Sequence, residues 1–138
     1  MSWLGFASIA ALAAAATAIL AKIGIEGVPS TLATAIRCVV VTIFAWAMAL
    51  GLGQHHAIGS LSRRSLVFLT LSGLATGVSW LAYFRALQMA PASWVAPIDK
   101  LSLPLTIVFA SVFLHETISW RTAAGVSLMA IGAMLTRT

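Results

Sequence analysis

Five long apolar runs constrain the fold of this sequence more than any other feature. A helix that crosses a bilayer needs about 20 mostly apolar residues. Of the 138 residues, 61% are hydrophobic and 8% are charged, too few charges to cover the surface of a soluble domain. We therefore predict an all-α membrane protein, a single domain over residues 1–138 built as a bundle of five transmembrane helices. The predicted helices cover residues 3–21, 30–52, 65–90, 96–114 and 119–135.

The first run could be mistaken for a secretory signal peptide. Such peptides begin with basic residues, and Met1 and Ser2 provide none before the run starts at Trp3. We expect it to be a retained helix.

Several function classes are excluded by what the sequence lacks. The net charge is +5, but the basic residues are scattered rather than collected in a stripe, so no nucleic-acid partner is expected. The adjacent His55 and His56 have no further ligands at metal-binding spacing, and Cys38 has no second cysteine. No nucleophile–base pair or phosphate-binding loop is present. We predict no enzyme activity, no metal and no cofactor.

The basic residues near helix ends are almost equally divided between the two sides of the predicted bundle. Two interpretations stay open, because positive charge normally marks the cytoplasmic side. Either a single loop fixes one orientation, or the protein inserts both ways and pairs as an antiparallel dimer. The side of the N-terminus carries Arg63, Arg64 and Arg121, and the other side carries Lys22, Arg85 and Arg137.

Four charged residues fall inside the apolar runs, where each costs at least ~2.5 kcal/mol and usually marks a function. Counting 1.5 Å per residue places all of them toward one end of the bundle, on three helices. They are Arg37, Arg85, Asp99 and Lys100.

Two interpretations of these charges stay open. The first is a site for an anionic or zwitterionic solute, with Trp80 and Tyr83 in its wall and Asp99 as a candidate for proton coupling. The second is structural: Asp99 pairs with Arg85 or Arg37, while the long basic side chains reach toward the interface.

The segment "PIDKLSLP" at residues 97–104 predicts both a helix start and a kink. We expect Pro97 to begin the fourth helix, which places Asp99 in its first turn, where an acid suits the helix dipole. Pro104 cannot donate a hydrogen bond to the carbonyl four residues earlier, that of Lys100, so we expect a kink there. Bent or discontinuous helices are common at transporter sites.

Small residues recur on two of the predicted helices. Gly73 and Gly77 form a G-x-x-x-G spacing in the third helix, and Gly125 and Gly132 lie seven residues apart in the fifth. Small residues on one face allow close approach of a neighbouring helix. We predict packing or dimer contacts at these positions.

Two segments carry a resemblance to a known family. They are "AILAKIGIEGVPSTLATAIR" at residues 18–37 and "SWLAYFRALQMAPASWVAPIDKLSLPLTIVFASVFLHETIS" at residues 79–119. The second resembles the EamA pattern of an aromatic third helix ending in "AL", a small-residue turn, a proline-bearing fourth helix and a glutamate, here Glu116. The chain thus resembles one EamA domain of the drug/metabolite transporter superfamily over essentially its whole length.

The resemblance implies a single five-helix repeat. Typical family members have ten helices in two inverted repeats, so two copies of this chain would have to meet antiparallel. The Gly125–Gly132 spacing is similar to the dimerising last helix of the small multidrug resistance proteins. Those proteins use a glutamate in their first helix, and this first helix has no acid.

The resemblance implies a secondary transporter subunit that works by alternating access as an antiparallel homodimer of dual topology. Family substrates include amino acids, metabolites and drugs. We expect a multi-pass protein of the inner (plasma) membrane whose partners are the lipid bilayer, a small solute and a second copy. The alternative is a non-transporting scaffold or accessory subunit of a larger membrane complex.

Overall fold

The computed structural model describes residues 2–136, which form helices joined by turns and contain no β-strand. The all-α fold predicted from the sequence is confirmed. The chain divides into two compact units: Ala21–Gln88, and the chain before Ala21 together with the chain after Gln88. The α-helices are α1 Trp3–Gly24, α2 Ser30–Gly51, α3 Arg63–Met89, α4 Ala92–Asp99, α5 Ser102–Phe113 and α6 Trp120–Leu135, and a 3₁₀ helix spans Gln54–Ser60.

Four stretches of the described residues are long and apolar enough to cross a membrane. A further apolar helix, α6, has 16 residues and is therefore only about 24 Å long, somewhat less than the ~30 Å of bilayer hydrocarbon. The chain is thus a multi-pass membrane protein. The four stretches are Trp3–Gly24, Ser30–Gly51, Arg63–Met89 and Ala92–Phe113.

Local chemistry explains where two of the helices begin. Ser62 Oγ accepts a hydrogen bond from the amide of Ser65 at 3.0 Å, so α3 starts at Arg63, two residues before the predicted position. Ser119 Oγ accepts from the amide of Thr122 at 3.1 Å and caps α6 in the same way. Such caps satisfy amides that have no partner within the helix.

The turn between α1 and α2 is tight. Its Gly27 has φ +72°, a left-handed conformation that glycine adopts without steric cost. Pro29 follows with φ −55° and immediately precedes α2, where a residue without an N–H is tolerated. The turn therefore lies in the gap between the first two predicted helices, residues 3–21 and 30–52.

The fourth predicted helix differs from the observed one in two ways. Its start at residue 96 is wrong, because the helix begins at Ala92, directly after Pro91. Pro97 lies inside α4 rather than at its start. The helix is then interrupted at Lys100 and Leu101 before α5 begins.

The helix is interrupted at the backbone carbonyl of Lys100, to which Pro104 cannot donate a hydrogen bond. In a regular helix the Lys100 carbonyl would accept from residue 104, and proline has no N–H to donate. It accepts instead from the amide of Leu103 at 3.0 Å, a tighter three-residue turn. The stretch Ala92–Phe113 is therefore a discontinuous helix with its break beside Asp99.

Few side chains are buried within this chain. Most of its large apolar side chains are exposed, as expected for helices surrounded by lipid or by another chain. The buried described residues are Ile25, Thr34, Phe84 and Leu87 in the unit Ala21–Gln88, and Val95 and Ala133 in the other unit.

Candidate functional site

The centre of the candidate site is the guanidinium of Arg37 on α2, stacked on aromatic rings of α3. The Arg37 guanidinium carbon lies 4.5 Å from the centroid of the Trp80 ring and 5.5 Å from that of Phe84. Trp80 and Phe84 are four residues apart and therefore share one face of α3. Arg37 is seven residues into α2, about 10 Å from its start.

The stacking explains how a cation is held at this depth. A charge inside the bilayer costs at least ~2.5 kcal/mol. Each cation–π contact returns ~0.5–2 kcal/mol, depending on how far it is desolvated. Two rings together therefore nearly offset the cost without an acidic partner. A cation–π contact uses the charge of the guanidinium and leaves its N–H groups able to bind a ligand.

Tyr83 extends this aromatic group. Its ring meets the ring of Phe84 edge to face, with 6.4 Å between centroids. Tyr83 is half-buried and Phe84 is only 3% exposed. The predicted wall residues Trp80 and Tyr83 thus belong to one aromatic group with Arg37. Phe84, for which no role is predicted from the sequence, is the ring that connects Tyr83 to Arg37.

Arg85 makes a different contact. Its NH1 donates to Gln88 Oε1 at 3.3 Å, one turn further along α3. Gln88 Nε2 in turn donates to the carbonyl of Val28 at 2.7 Å. Arg85 is therefore directed to the end of α3 and to the turn that precedes α2.

Asp99 and Lys100 lie in the other unit, at the break between α4 and α5. Lys100 Nζ is 3.7 Å from Asp99 Oδ2, and the two side chains are 54% and 38% exposed. Asp99 is the last residue of α4, so its predicted place in a first helical turn is wrong. At this end the helix dipole disfavours an anion, and the neighbouring ammonium compensates for it.

The observed start of α4 also changes the depth of Asp99 and Lys100 in the span. Because α4 begins at Ala92, Asp99 is seven residues into the span, about 10 Å from its start rather than in the first turn. The pairing of Asp99 with Arg37 or Arg85 would join the two units and stays a prediction. The gathering of all four charges stays a prediction for the same reason.

The predicted glycine positions face open space within the chain. Among residues 2–136, a Cβ built at Gly73, Gly77, Gly125 or Gly132 would meet no atom within 4 Å outside its own helix. Within its own unit of the described chain, none of these four positions is therefore a close approach to another helix. Whether a second copy packs there stays a prediction.

A pocket that the sequence did not indicate lies in the unit Ala21–Gln88. It has a volume of about 400 Å³. The ammonium of Lys22 donates to the Leu87 carbonyl at its edge. Among residues 2–136, no group of three or more His, Cys, Asp or Glu side chains is placed to hold a metal ion. The pocket is lined by Lys22, Ile25, Glu26, Gly27, Val28, Pro29, Leu87 and Gln88.

Comparison with known proteins gives two matches. The sequence model of the EamA-like transporter family matches residues 1–138. A curated protein from Sinorhizobium sp, named "Uncharacterized transporter in cobO 3'region", is 43% identical over 134 residues, which cover 97% of this chain and 95% of that protein. No solved structure matches the chain.

Proposed function

Because the chain belongs to the EamA-like transporter family, we propose that it is a subunit of a secondary transporter for a small metabolite or drug-like solute. Family membership and the multi-pass helices support a membrane transporter rather than an enzyme. The proposed carrier resides in the inner (plasma) membrane and works by alternating access.

The stacked guanidinium of Arg37 is the observation that carries the proposed solute site. A cation that is held by aromatic rings keeps its N–H groups for a ligand, and a planar guanidinium edge matches a carboxylate or phosphate. The solute therefore carries an anionic group that meets Arg37, beside the rings of Trp80 and Tyr83. Arg85, Asp99 and Lys100 complete the proposed site when the transporter is assembled.

The discontinuous helix supports movement between two states. Transporter sites are often built where a spanning helix is interrupted, because the two halves can change their angle and the exposed backbone can contact a ligand or ion. Here the interruption at Lys100 and Leu101 lies directly beside Asp99. In the proposed cycle α4 and α5 change their relative angle at this break.

A second copy of the chain completes the proposed transporter. The uncovered glycines of α3 and α6 are suited to close contact with helices of another chain. The nearly equal division of basic residues between the two sides suits insertion in both orientations. We therefore propose an antiparallel homodimer with Gly73, Gly77, Gly125 and Gly132 in its contacts.

Transport by the purified protein in liposomes tests the proposal. We expect uptake of at least one member of a panel of amino acids, other carboxylates and drugs. Arg37→Ala should lower that uptake about tenfold to a hundredfold, the loss of one charge-assisted hydrogen-bond pair.

Arg64→Ala is the matched control, because Arg64 also faces a ring, that of Phe68 at 5.9 Å, but at the exposed start of α3. Uptake should be unchanged in this variant. Normal uptake by Arg37→Ala would remove Arg37 from the site. A chain that moves no solute of the panel would favour the accessory subunit instead.

A further inference from the structure

The pocket beside the α1–α2 turn has the form of a ligand site that is separate from the aromatic group. Its volume of about 400 Å³ falls in the ~300–1,000 Å³ range of small-molecule pockets. Three parts of the chain form its wall: the last turn of α1, the turn at residues 25–29 and the last turn of α3.

Hydrogen bonds to backbone carbonyls hold this wall together. The ammonium of Lys22 on α1 donates to the carbonyl of Leu87 on α3. Gln88 donates to the carbonyl of Val28 and accepts from Arg85. Leu87 is fully buried beneath these contacts. These hydrogen bonds and the buried Leu87 therefore fix the positions of the polar residues in the wall.

The charges in the wall are of both signs. Lys22 contributes an ammonium and Glu26 a carboxylate. A simple anion would be repelled by Glu26, and a simple cation by Lys22. The complementary ligand carries a negative and a positive group together.

The pocket lies where membrane-spanning helices end. α1 ends at Gly24, α2 begins at Ser30 and α3 ends at Met89, and each is long and apolar enough to span the bilayer. The ends of spanning helices lie at the level of the lipid headgroups. Lipid headgroups are therefore the most concentrated ligands at this pocket.

From these observations we propose that the pocket binds a phosphate joined to a primary amine, the headgroup chemistry of phosphatidylethanolamine. The phosphate meets the ammonium of Lys22, and the primary ammonium meets the carboxylate of Glu26. The site ties the ends of α1 and α3 to the lipid surface. It requires neither the proposed solute nor transport.

Competitive lipid binding to the purified full chain tests this site. The protein in detergent is exposed to equal amounts of phosphatidylethanolamine, phosphatidylcholine and phosphatidylglycerol with identical acyl chains, and bound lipid is counted by native mass spectrometry. We expect phosphatidylethanolamine to be preferred about threefold to fivefold over each of the others. Phosphatidylglycerol has no cation to pair with Glu26, and the quaternary ammonium of phosphatidylcholine has no N–H to donate to it. Equal binding of the three lipids would overturn the proposal.

Glu26→Gln is the informative variant, because Glu26 is exposed and its loss leaves the carbonyl hydrogen bonds of the wall intact. The preference for phosphatidylethanolamine should disappear in this variant. Glu116→Gln removes the same charge from an exposed position far along the sequence and should leave the preference unchanged. A full preference in Glu26→Gln, or its loss in Glu116→Gln, would contradict the assignment.

A soluble headgroup identifies the source of the ligand. Glycerophosphoethanolamine carries the same phosphate and amine without acyl chains. If it displaces bound phosphatidylethanolamine, the pocket also accepts a soluble zwitterion. If it does not, while the preference among lipids holds, the ligand is the lipid itself. Both results support the chemistry of the site and differ only in its natural source.

Discussion

The contact between Arg37 and Trp80 leads to a prediction that needs no knowledge of the solute. Cation–π contacts are effective within about 6 Å and contribute ~0.5–1 kcal/mol when exposed and ~2 kcal/mol when desolvated. Trp80 lies at 4.5 Å and Phe84 at 5.5 Å, and Arg37 and Trp80 are both half-buried. Trp80 therefore carries the larger share. We expect about 1 kcal/mol of coupling between Arg37 and Trp80.

A double-mutant cycle measures this coupling. The free energy of unfolding is determined in mixed micelles for the wild type, Arg37→Gln, Trp80→Leu and the double variant. Because Arg37 has no indole to contact in the Trp80→Leu variant, replacing Arg37 in that background should cost about 1 kcal/mol less than in the wild type. The contact of Arg37 with Phe84 is lost equally when Arg37 is replaced in either background, so it cancels from the cycle.

A second cycle on Arg64 and Phe68 provides the matched comparison. These side chains are exposed and lie 5.9 Å apart, so the expected coupling is below about 0.5 kcal/mol. Additivity within about 0.3 kcal/mol for Arg37 and Trp80 would refute the reasoning, because independent sites show that behaviour. Equal coupling energies in the two cycles would also refute it, since partial burial of Arg37 and Trp80 would then not strengthen their contact.

Two further predictions concern Asp99 and the orientation of the chain. Asp99→Asn should abolish transport while the protein still reaches the membrane. The amide carries no charge to pair with the Lys100 ammonium 3.7 Å away, and it cannot carry a proton. Near-normal uptake in liposomes, with Glu116→Gln as control, would remove Asp99 from the mechanism. Reporter tags on the C-terminus should be found on both sides of the membrane, and a single orientation would exclude the antiparallel homodimer.

The apolar runs were sufficient to predict the helices, and the exceptions have physical causes. Length and composition determine which stretches can span a bilayer, so α1, α2 and α3 lie close to their predicted positions. The predicted start of α4 is wrong because Pro97 lies inside the helix rather than at its beginning. Prolines are tolerated inside membrane helices, and Pro91 is the one that precedes this helix.

The sequence indicates only part of the geometry around Arg37. Counting residues gave the depth of Arg37, but its contact with Trp80 depends on how α2 is rotated against α3, which one sequence does not determine. The pocket was missed for another reason. Its defining bonds run from Lys22 and Gln88 to carbonyls 65 and 60 residues away in sequence. Every residue has a carbonyl, so no residue type marks such a partner.

The break beside Asp99 also affects how this stretch enters the membrane. Asp99 and Lys100 near the middle of Ala92–Phe113 together oppose insertion by ~5–7 kcal/mol, whereas its ten Val, Leu, Ile and Phe residues favour it by ~3–6 kcal/mol. The two contributions almost cancel, so the stretch stands at the threshold for partitioning from the translocon into lipid. We therefore expect this stretch to enter the bilayer only after neighbouring helices are already there.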